Sequence, residues 1–371
     1  MEIESAVLKG CLLGMAVGDA MGAPVDGKNY RDICQMYGPA GLLGYDSANG
    51  LAEITSYSQV AMFAANGLLV GAARGRTGTD DQLRYITAAL KEWARVQHLP
   101  GAPENKICWL RHIAQMRRRR CMDPRTLDAL TRGVLGSPEA PANQSAGPGT
   151  LTAVIPVALF FRPERMDFWD LGLLGARIVA LTHGDPTAYL SGALLTYALA
   201  GIVQDPACAM EDQFLQAAQA VAKQFPGIAS AKLQTMLYNA AAMAKDPAIS
   251  GVQAMEKLEC NTAAQVLAGA VYAVLSGNGD FDTSMITAVN HSGKSAAVGA
   301  VTGALLGAAQ GETALPEFYL DCLECDHVIR ELAQDLHTAC PKGWQKRLFD
   351  DDWDRKYTHG KAVDRDGWAN A

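Results

Sequence analysis

The sequence predicts an all-α fold, and three observations carry that prediction. Apolar residues recur at helical spacing in segment after segment between residues 5 and 338. The strict alternation of half-buried strands is nearly absent. Two segments also repeat glycine along one helix face: Gly10, Gly14 and Gly18, then Gly299, Gly303 and Gly307. Small residues at that spacing let a second backbone pack close. An all-α protein is a stack of helices around a shared core, so each segment is a candidate layer element.

Residues 5–21 read as an amphipathic, glycine-spaced helix that closes on Asp19 to Pro24. Residues 25–53 are a long glycine-rich loop, of a length that in a compact protein is functional or mobile. A helix restarts over 55–72, with Thr55 or Ser56 as N-cap, because either hydroxyl can accept from the free N–H groups of the first turn. Helices follow over 80–97 and 105–117, then a second irregular loop over 138–149. The short apolar helix at 151–161 has to place Pro156 near its start or bend there. Helices over 167–182, 186–203, 210–225, 229–246, 251–258 and 263–276 come next. Residues 282–289 lead into the polar run Asn290-His291-Ser292-Gly293-Lys294-Ser295, which opens the second glycine-spaced helix. The last long helix is expected over 316–338. No long Ser/Gly/Pro linker or composition break divides the chain, so one domain over 1–371 is expected.

At 371 residues and 49% hydrophobic, the chain has ample material for a large core. The net charge of −7 argues against broad nucleic-acid binding. The N-terminal MEIESAVLKG has no basic region leading into an apolar stretch, and no apolar run reaches the roughly 20 residues of a membrane span. A cytoplasmic protein without a membrane partner is therefore expected. Nine scattered cysteines suit reduced thiols. Cys322 and Cys325 form a lone CxxC, read as two cysteines on one face of a helix in preference to a zinc site. The run Arg117–Arg120 is either a solvated basic patch or a docking point for an acidic partner or a phosphate.

Four polar loops, at 54–59, 143–150, 182–186 and 290–295, lie at or near helix N-termini. Brought together in one cleft, their free N–H groups would form an anion site; kept apart, they are four unrelated caps.

The motifs resemble, in order and over nearly the whole chain, the ADP-ribosylglycohydrolase family. The resemblance rests on GCLLGMAVGDAMGAP at 10–24, YGPAG at 37–41, AEITSYSQVAMFAANGLL at 52–69, the loop at 143–157, LTHGDPTAYLSGALL at 181–195, residues 288–311 and WDRKY around Trp353. It implies a compact all-helical domain, and hydrolysis of the bond between ADP-ribose and an acceptor residue with two Mg²⁺ ions. It also implies a Thr-Asp-Asp run opening an early helix and an Asp-x-Asp pair opening a late one as metal ligands. Here those positions read Thr55-Ser56-Tyr57 and Lys294-Ser295-Ala296. The family's lysine near 146 and Met-Arg pair near 152–153 are Ala146, Thr152 and Ala153, while Gly147 and Gly149 persist around Pro148. A second histidine expected after the His-Gly pair is Asp185, and a glutamate pair near 264–265 is Ala264-Gln265.

Mg²⁺ takes a near-octahedral set of oxygens that normally includes carboxylates. Four carboxylates have given way to Ser, Tyr, Lys and Ala, and an ammonium stands where a dication would sit. Two unit charges about 4 Å apart cost on the order of 4 kcal/mol at an effective dielectric near 20, and a dication doubles that. No magnesium and no other cofactor is expected.

The candidate ligand-binding residues are Gly147, Gly149, Thr150, His183, Ser292, Gly293 and Tyr57. Tyr57 either fills the void left by the metals or stacks on a ligand ring. His183 either faces the ligand or rests on a backbone carbonyl. Lys294 either holds a phosphate as a point charge or points to solvent. Glu53 leads the acidic residues as a general base, then Asp185, with Asp19 and Asp26 behind them; for each alone, a cap or ion pair is the commoner role. Glu53 or Asp185 acting with Lys294 would support metal-free cleavage through an oxocarbenium-like state. Three functions are thus on the table: binding of ADP-ribose or an ADP-ribosylated protein with metal-free turnover, a catalytically inactive structural or partner-binding relative, and a magnesium hydrolase with relocated ligands.

Overall fold

The computed structural model describes residues 4–47, 50–98, 107–161, 166–338 and 351–361. Among these residues the architecture is helical throughout. The single β-like feature is an isolated parallel bridge between Ala52 and Leu323. The helices are α1 (Ser5–Gly22), α2 (Tyr30–Tyr37), α3 (Ser56–Ala73), α4 (Thr79–His98), α5 (Pro124–Arg132), α6 (Ile155–Phe160), α7 (Phe168–Ala180), α8 (Pro186–Gln204), α9 (Met210–Gln224), α10 (Ile228–Lys245), α11 (Gly251–Leu258), α12 (Ala263–Ser276), α13 (Phe281–Val289), α14 (Ser295–Gln310), α15 (Glu317–Leu320) and α16 (Asp326–Thr338).

The two glycine-spaced helices form the centre, packed antiparallel with their backbones in contact. A Cβ added at Gly14 would fall 2.2 Å from the Gly303 carbonyl oxygen, and one at Gly18 would fall 1.9 Å from that of Gly299. Gly10 meets Gly307 in the same way, at 2.3 Å. Helices α3, α8 and α12 are buried over most of their length around this pair. Helices α1 and α8 are each long and apolar enough to cross a membrane by length and composition, contrary to the expectation of no such run. Both are mostly buried within the molecule, which is the usual place of a helix apolar on all sides in a large core.

Three local readings are corrected. The loop at 25–53 contains α2, begun by Asn29, whose side chain accepts from the Asp32 N–H. Of the helix expected over 105–117, the part at 105–106 lies outside the described residues. The remainder is two 3₁₀ turns, Trp109–His112 and Ala114–Arg117. Buried Glu92 on α4 accepts the N–H groups of Ile107 and Cys108 and ties the start of this stretch to α4. The long helix at 316–338 is broken between α15 and α16. There the Ala52 N–H donates to the Cys322 carbonyl, and the Glu324 N–H donates to that of Ala52. Cys325 takes a left-handed conformation, φ 63°, so Cys322 and Cys325 lie in the break and not on one helix face. Pro156 sits at the start of α6, after a 3₁₀ turn over Leu151–Val154.

Candidate functional site

The polar loops do gather around the N-terminus of α3, but their donors are already taken. Asp19, fully buried on α1, accepts from the Thr55 N–H (2.8 Å), the Thr55 hydroxyl (2.5 Å), the Ser58 N–H (3.0 Å) and the Ser58 hydroxyl (2.5 Å). Burial raises its carboxyl to about 6, against the pull of those four donors. The same device recurs. Asp26 Oδ1 accepts from the Ala296 N–H at the start of α14 (3.1 Å), Asp123 from the Arg125 N–H on α5 (2.8 Å), and Asp185 from the Thr187 N–H and hydroxyl on α8. A helix N-terminus favours an anion, and here each anion is a side chain of the chain itself. In these contacts the aspartates act as caps, the second of the two readings of the loop spacing.

Lys294 is the N-cap residue of α14. Its ammonium lies 3.8 Å from Asp26 Oδ2, with the lysine side chain 40% and the aspartate 8% exposed. Two backbone bonds fix this corner: the Gly27 N–H to the Gly293 carbonyl, and the Lys294 N–H to that of Cys260, both 2.8 Å. Ser292 is a strut: its hydroxyl accepts the Tyr30 N–H at 2.7 Å, and its own N–H donates to Glu256. Gly293 is close-packed, since a Cβ there would meet the Glu259 carbonyl oxygen at 2.7 Å.

Tyr57 is 2% exposed in the first turn of α3. Burial drives its phenol well above its ordinary value, and the nearby carboxylates Asp26, Asp123 and Asp19 push the same way. Its carbonyl accepts the Thr152 hydroxyl at 2.7 Å, which ties the loop at 143–150 to α3. Its ring therefore presents little open surface to a ligand.

His183 is fully buried. Nε2 faces Asp123 Oδ2 at 2.8 Å, and Nδ1 faces the hydroxyls of Thr182 (2.8 Å) and Thr150 (3.3 Å). Burial raises the Asp123 carboxyl, but the imidazole and the N–H groups of α5 outweigh it and hold the group below its usual range. A Cβ on Gly147 would stand 2.9 Å from Asp123 Oδ2, and one on Gly149 would stand 2.2 Å from Thr126 Oγ1. These glycines let the loop lie directly on the Asp123–His183 pair.

The two acidic candidates are engaged elsewhere. Asp185 is the N-cap of α8. Glu53, 43% exposed, pairs with Arg120 (2.9 Å) and Arg118 (3.3 Å). Neither makes a contact with Lys294, so the metal-free acid–base pairing is not assembled. Glu53 instead borders a cleft of about 290 Å³ between Ala23, Tyr45, Asp46, Arg120 and Cys121. The arginine run is exposed at Arg117, Arg118 and Arg119, yet it is anchored: Arg117 Nε donates to the Arg111 carbonyl, Arg119 Nε to that of Gln97, and Arg120 bonds buried Glu324. Asp123 went unread in the sequence. Its signal was an Asp-Pro step, an N-cap followed by proline at the first helical position, the same signature as Asp185-Pro186.

The residues present do not fit a dimagnesium group. The Thr55 hydroxyl is bound to Asp19 and the Ser56 hydroxyl donates to the Cys121 carbonyl at 2.9 Å. Tyr57 is a phenol held protonated, and Lys294 brings a positive charge. Of the carboxylates here, Asp26 already has a cation beside it.

An all-helical scaffold with a central antiparallel glycine seam, and a polar cluster at the helix N-termini around it, defines a class that the comparisons identify. The family model described as ADP-ribosylglycohydrolase matches residues 4–346, and the chain belongs to that family. A solved structure titled "ADP-ribosylglycohydrolase-related protein complex" shares 22% identity and a TM-score of 0.55, covering 90% of this chain and 98% of that one, a likeness of fold. No curated protein matches the sequence.

Proposed function

We propose that this chain is a non-hydrolytic member of the ADP-ribosylglycohydrolase family, a pseudoenzyme with a structural or partner-protein-binding role in place of ADP-ribose chemistry. One observation carries the reading: most of the polar side chains at the motif positions are bonded to one another, with the buried Ser295 hydroxyl the exception. Thr55 and Ser58 hold Asp19, Lys294 faces Asp26, His183 is locked between Asp123 and two threonines, and Asp185 caps its own helix. A general base must reach the proton it removes. Here the candidate bases are capped, paired or buried.

A second reading, recognition of ADP-ribose or an ADP-ribosylated protein, is favoured by Lys294. Its side chain is two-fifths exposed and its ammonium pairs with Asp26 at the long distance of 3.8 Å, which leaves room for a phosphate to approach. Calorimetric titration with ADP-ribose separates the two readings. The pseudoenzyme reading expects no heat, with or without Mg²⁺. Binding that Lys294→Met abolishes selects the second reading. Release of ADP-ribose from ADP-ribosylated arginine or serine substrates by the pure protein would overturn both.

A further inference from the structure

We infer that Lys294 is a built-in counter-ion that occupies the cation position of this cleft, so that the protein excludes divalent metal by carrying its own positive charge. This deepens the pseudoenzyme reading of the same cleft but stands or falls on a separate measurement.

The argument starts from Asp26. Its side chain is 8% exposed, and one oxygen rests on the Ala296 N–H of α14. Burial pushes its carboxyl up, while the Lys294 charge, the Ala296 N–H and the Lys294 hydrogen bond pull it down. A buried carboxylate is costly without a partner, and truncating the partner leaves that cost uncompensated. In this chain the partner is one lysine, delivered by the residue that caps the adjoining helix.

The backbone is arranged to deliver it. Gly27, at φ 71°, folds over the corner, and a Cβ there would stand 4.0 Å from the Lys294 ammonium. The Gly27 N–H to Gly293 carbonyl bond pins the Asp26 loop to the residue before Lys294. Loop and lysine are thus fixed to each other independently of the ion pair. Tyr57, nearly fully buried and close enough to feel the Asp26 charge, fills space beside it with a neutral ring. Asp19 and Asp123 also lie near this phenol, but Asp19 is bound by Thr55 and Ser58 and Asp123 by His183, so Asp26 is the carboxylate that Lys294 balances. A dication entering would meet like charge from Lys294 and find the neighbouring carboxylates Asp19 and Asp123 already bound to other side chains.

The substitution that tests this is Lys294→Asp. It removes the ammonium and sets a second carboxylate at the start of α14, facing Asp26. The fixed Gly27–Gly293 connection preserves the corner, and the helix N-terminus tolerates the acid. Mn²⁺ serves as probe, read by the loss of its free-ion electron paramagnetic resonance signal on titration into the full-length protein. The wild type is expected to take up no Mn²⁺ beyond a serum-albumin-free buffer control, and Lys294→Asp to gain affinity by roughly tenfold or more. The thermal midpoint gives an independent reading: Mn²⁺ should raise it in Lys294→Asp and leave the wild type unmoved. The isosteric control Lys294→Met should lose stability without gaining metal. Stoichiometric Mn²⁺ binding by the wild type overturns the inference, and so does a folded Lys294→Asp that binds no better than wild type. Hydrolysis by a wild type that binds no Mn²⁺ would overturn the pseudoenzyme reading and leave this inference standing.

Discussion

Among the described residues, nothing bonds Nδ1 of His291. Its other ring nitrogen donates to the Ala288 carbonyl at 3.0 Å, and the side chain is almost fully buried three residues before Lys294. Protonating Nδ1 would place an unpaired cation in the core. Burial accordingly depresses the imidazole from 6.5 to about 4, against the smaller opposing effects of the Ala288 carbonyl and Glu256. The unfolded chain takes up this proton first. The stability His291 contributes is therefore fully present above about pH 6.5 and is lost as pH falls toward 4, a loss of about 3 kcal/mol. His291→Gln keeps a donor for Ala288 and cannot titrate. Urea unfolding between pH 7 and 4 should give a flatter stability profile for the variant than for the wild type; equal slopes would refute the assignment. At this scale the sequence was partly legible. Lys294 and Tyr57 stood out because a motif defined their positions. Asp123 did not, because what makes it matter is His183, 60 residues away, and only tertiary packing joins them. For Glu53 an ion pair was the commoner expectation, but its partners could not be named, because the arginines come from a distant turn.

The helices were legible where their pattern was internal to them. The glycine spacing of α1 and α14 needed no partner to be visible, and the structure pairs the two faces that it marked. Element boundaries failed where a distant segment bonds the backbone: Glu92 holds the N–H groups at 107–108, and Ala52 bonds across the break at 322–324. The glycine seam also makes a sharp prediction. A Cβ at Gly303 would lie 1.9 Å from the Gly14 carbonyl oxygen and 2.5 Å from its carbon, both backbone atoms that cannot rotate away. Gly303→Ala should therefore force α1 and α14 apart and cost about 3 kcal/mol, the upper end of ordinary overpacking. Gly44→Ala, where nothing lies within 4 Å, is the control and should be nearly neutral. Chemical denaturation of both variants decides it: a Gly303→Ala protein as stable as the control would mean that the helices are not in backbone contact.

Across the whole molecule, the chain keeps the all-α fold of its family from α1 to α16. What closes the molecule is the segment 351–361, which packs beside α3 and α16. There Lys356 is 3% exposed and bonds Glu331 (2.7 Å) and Asp335 (2.5 Å), with the Trp109 ring 5.8 Å away. The Tyr357 hydroxyl donates to the same Asp335 oxygen at 2.5 Å. Burial raises the Asp335 carboxyl, and Lys356 is the first of the groups that counter it. Lys356→Met removes that cation and leaves two carboxylates facing each other across a turn of α16. Breaking a buried pair from one side costs about 3–5 kcal/mol, whereas removing both partners together is far milder. Lys356→Met should therefore be strongly destabilising, and Lys356→Met with Asp335→Asn should recover much of the loss. A double-mutant cycle by urea denaturation reads the coupling directly. Additive losses would mean that the segment is held by Trp353 and Tyr357 packing alone, with the charge cluster a bystander.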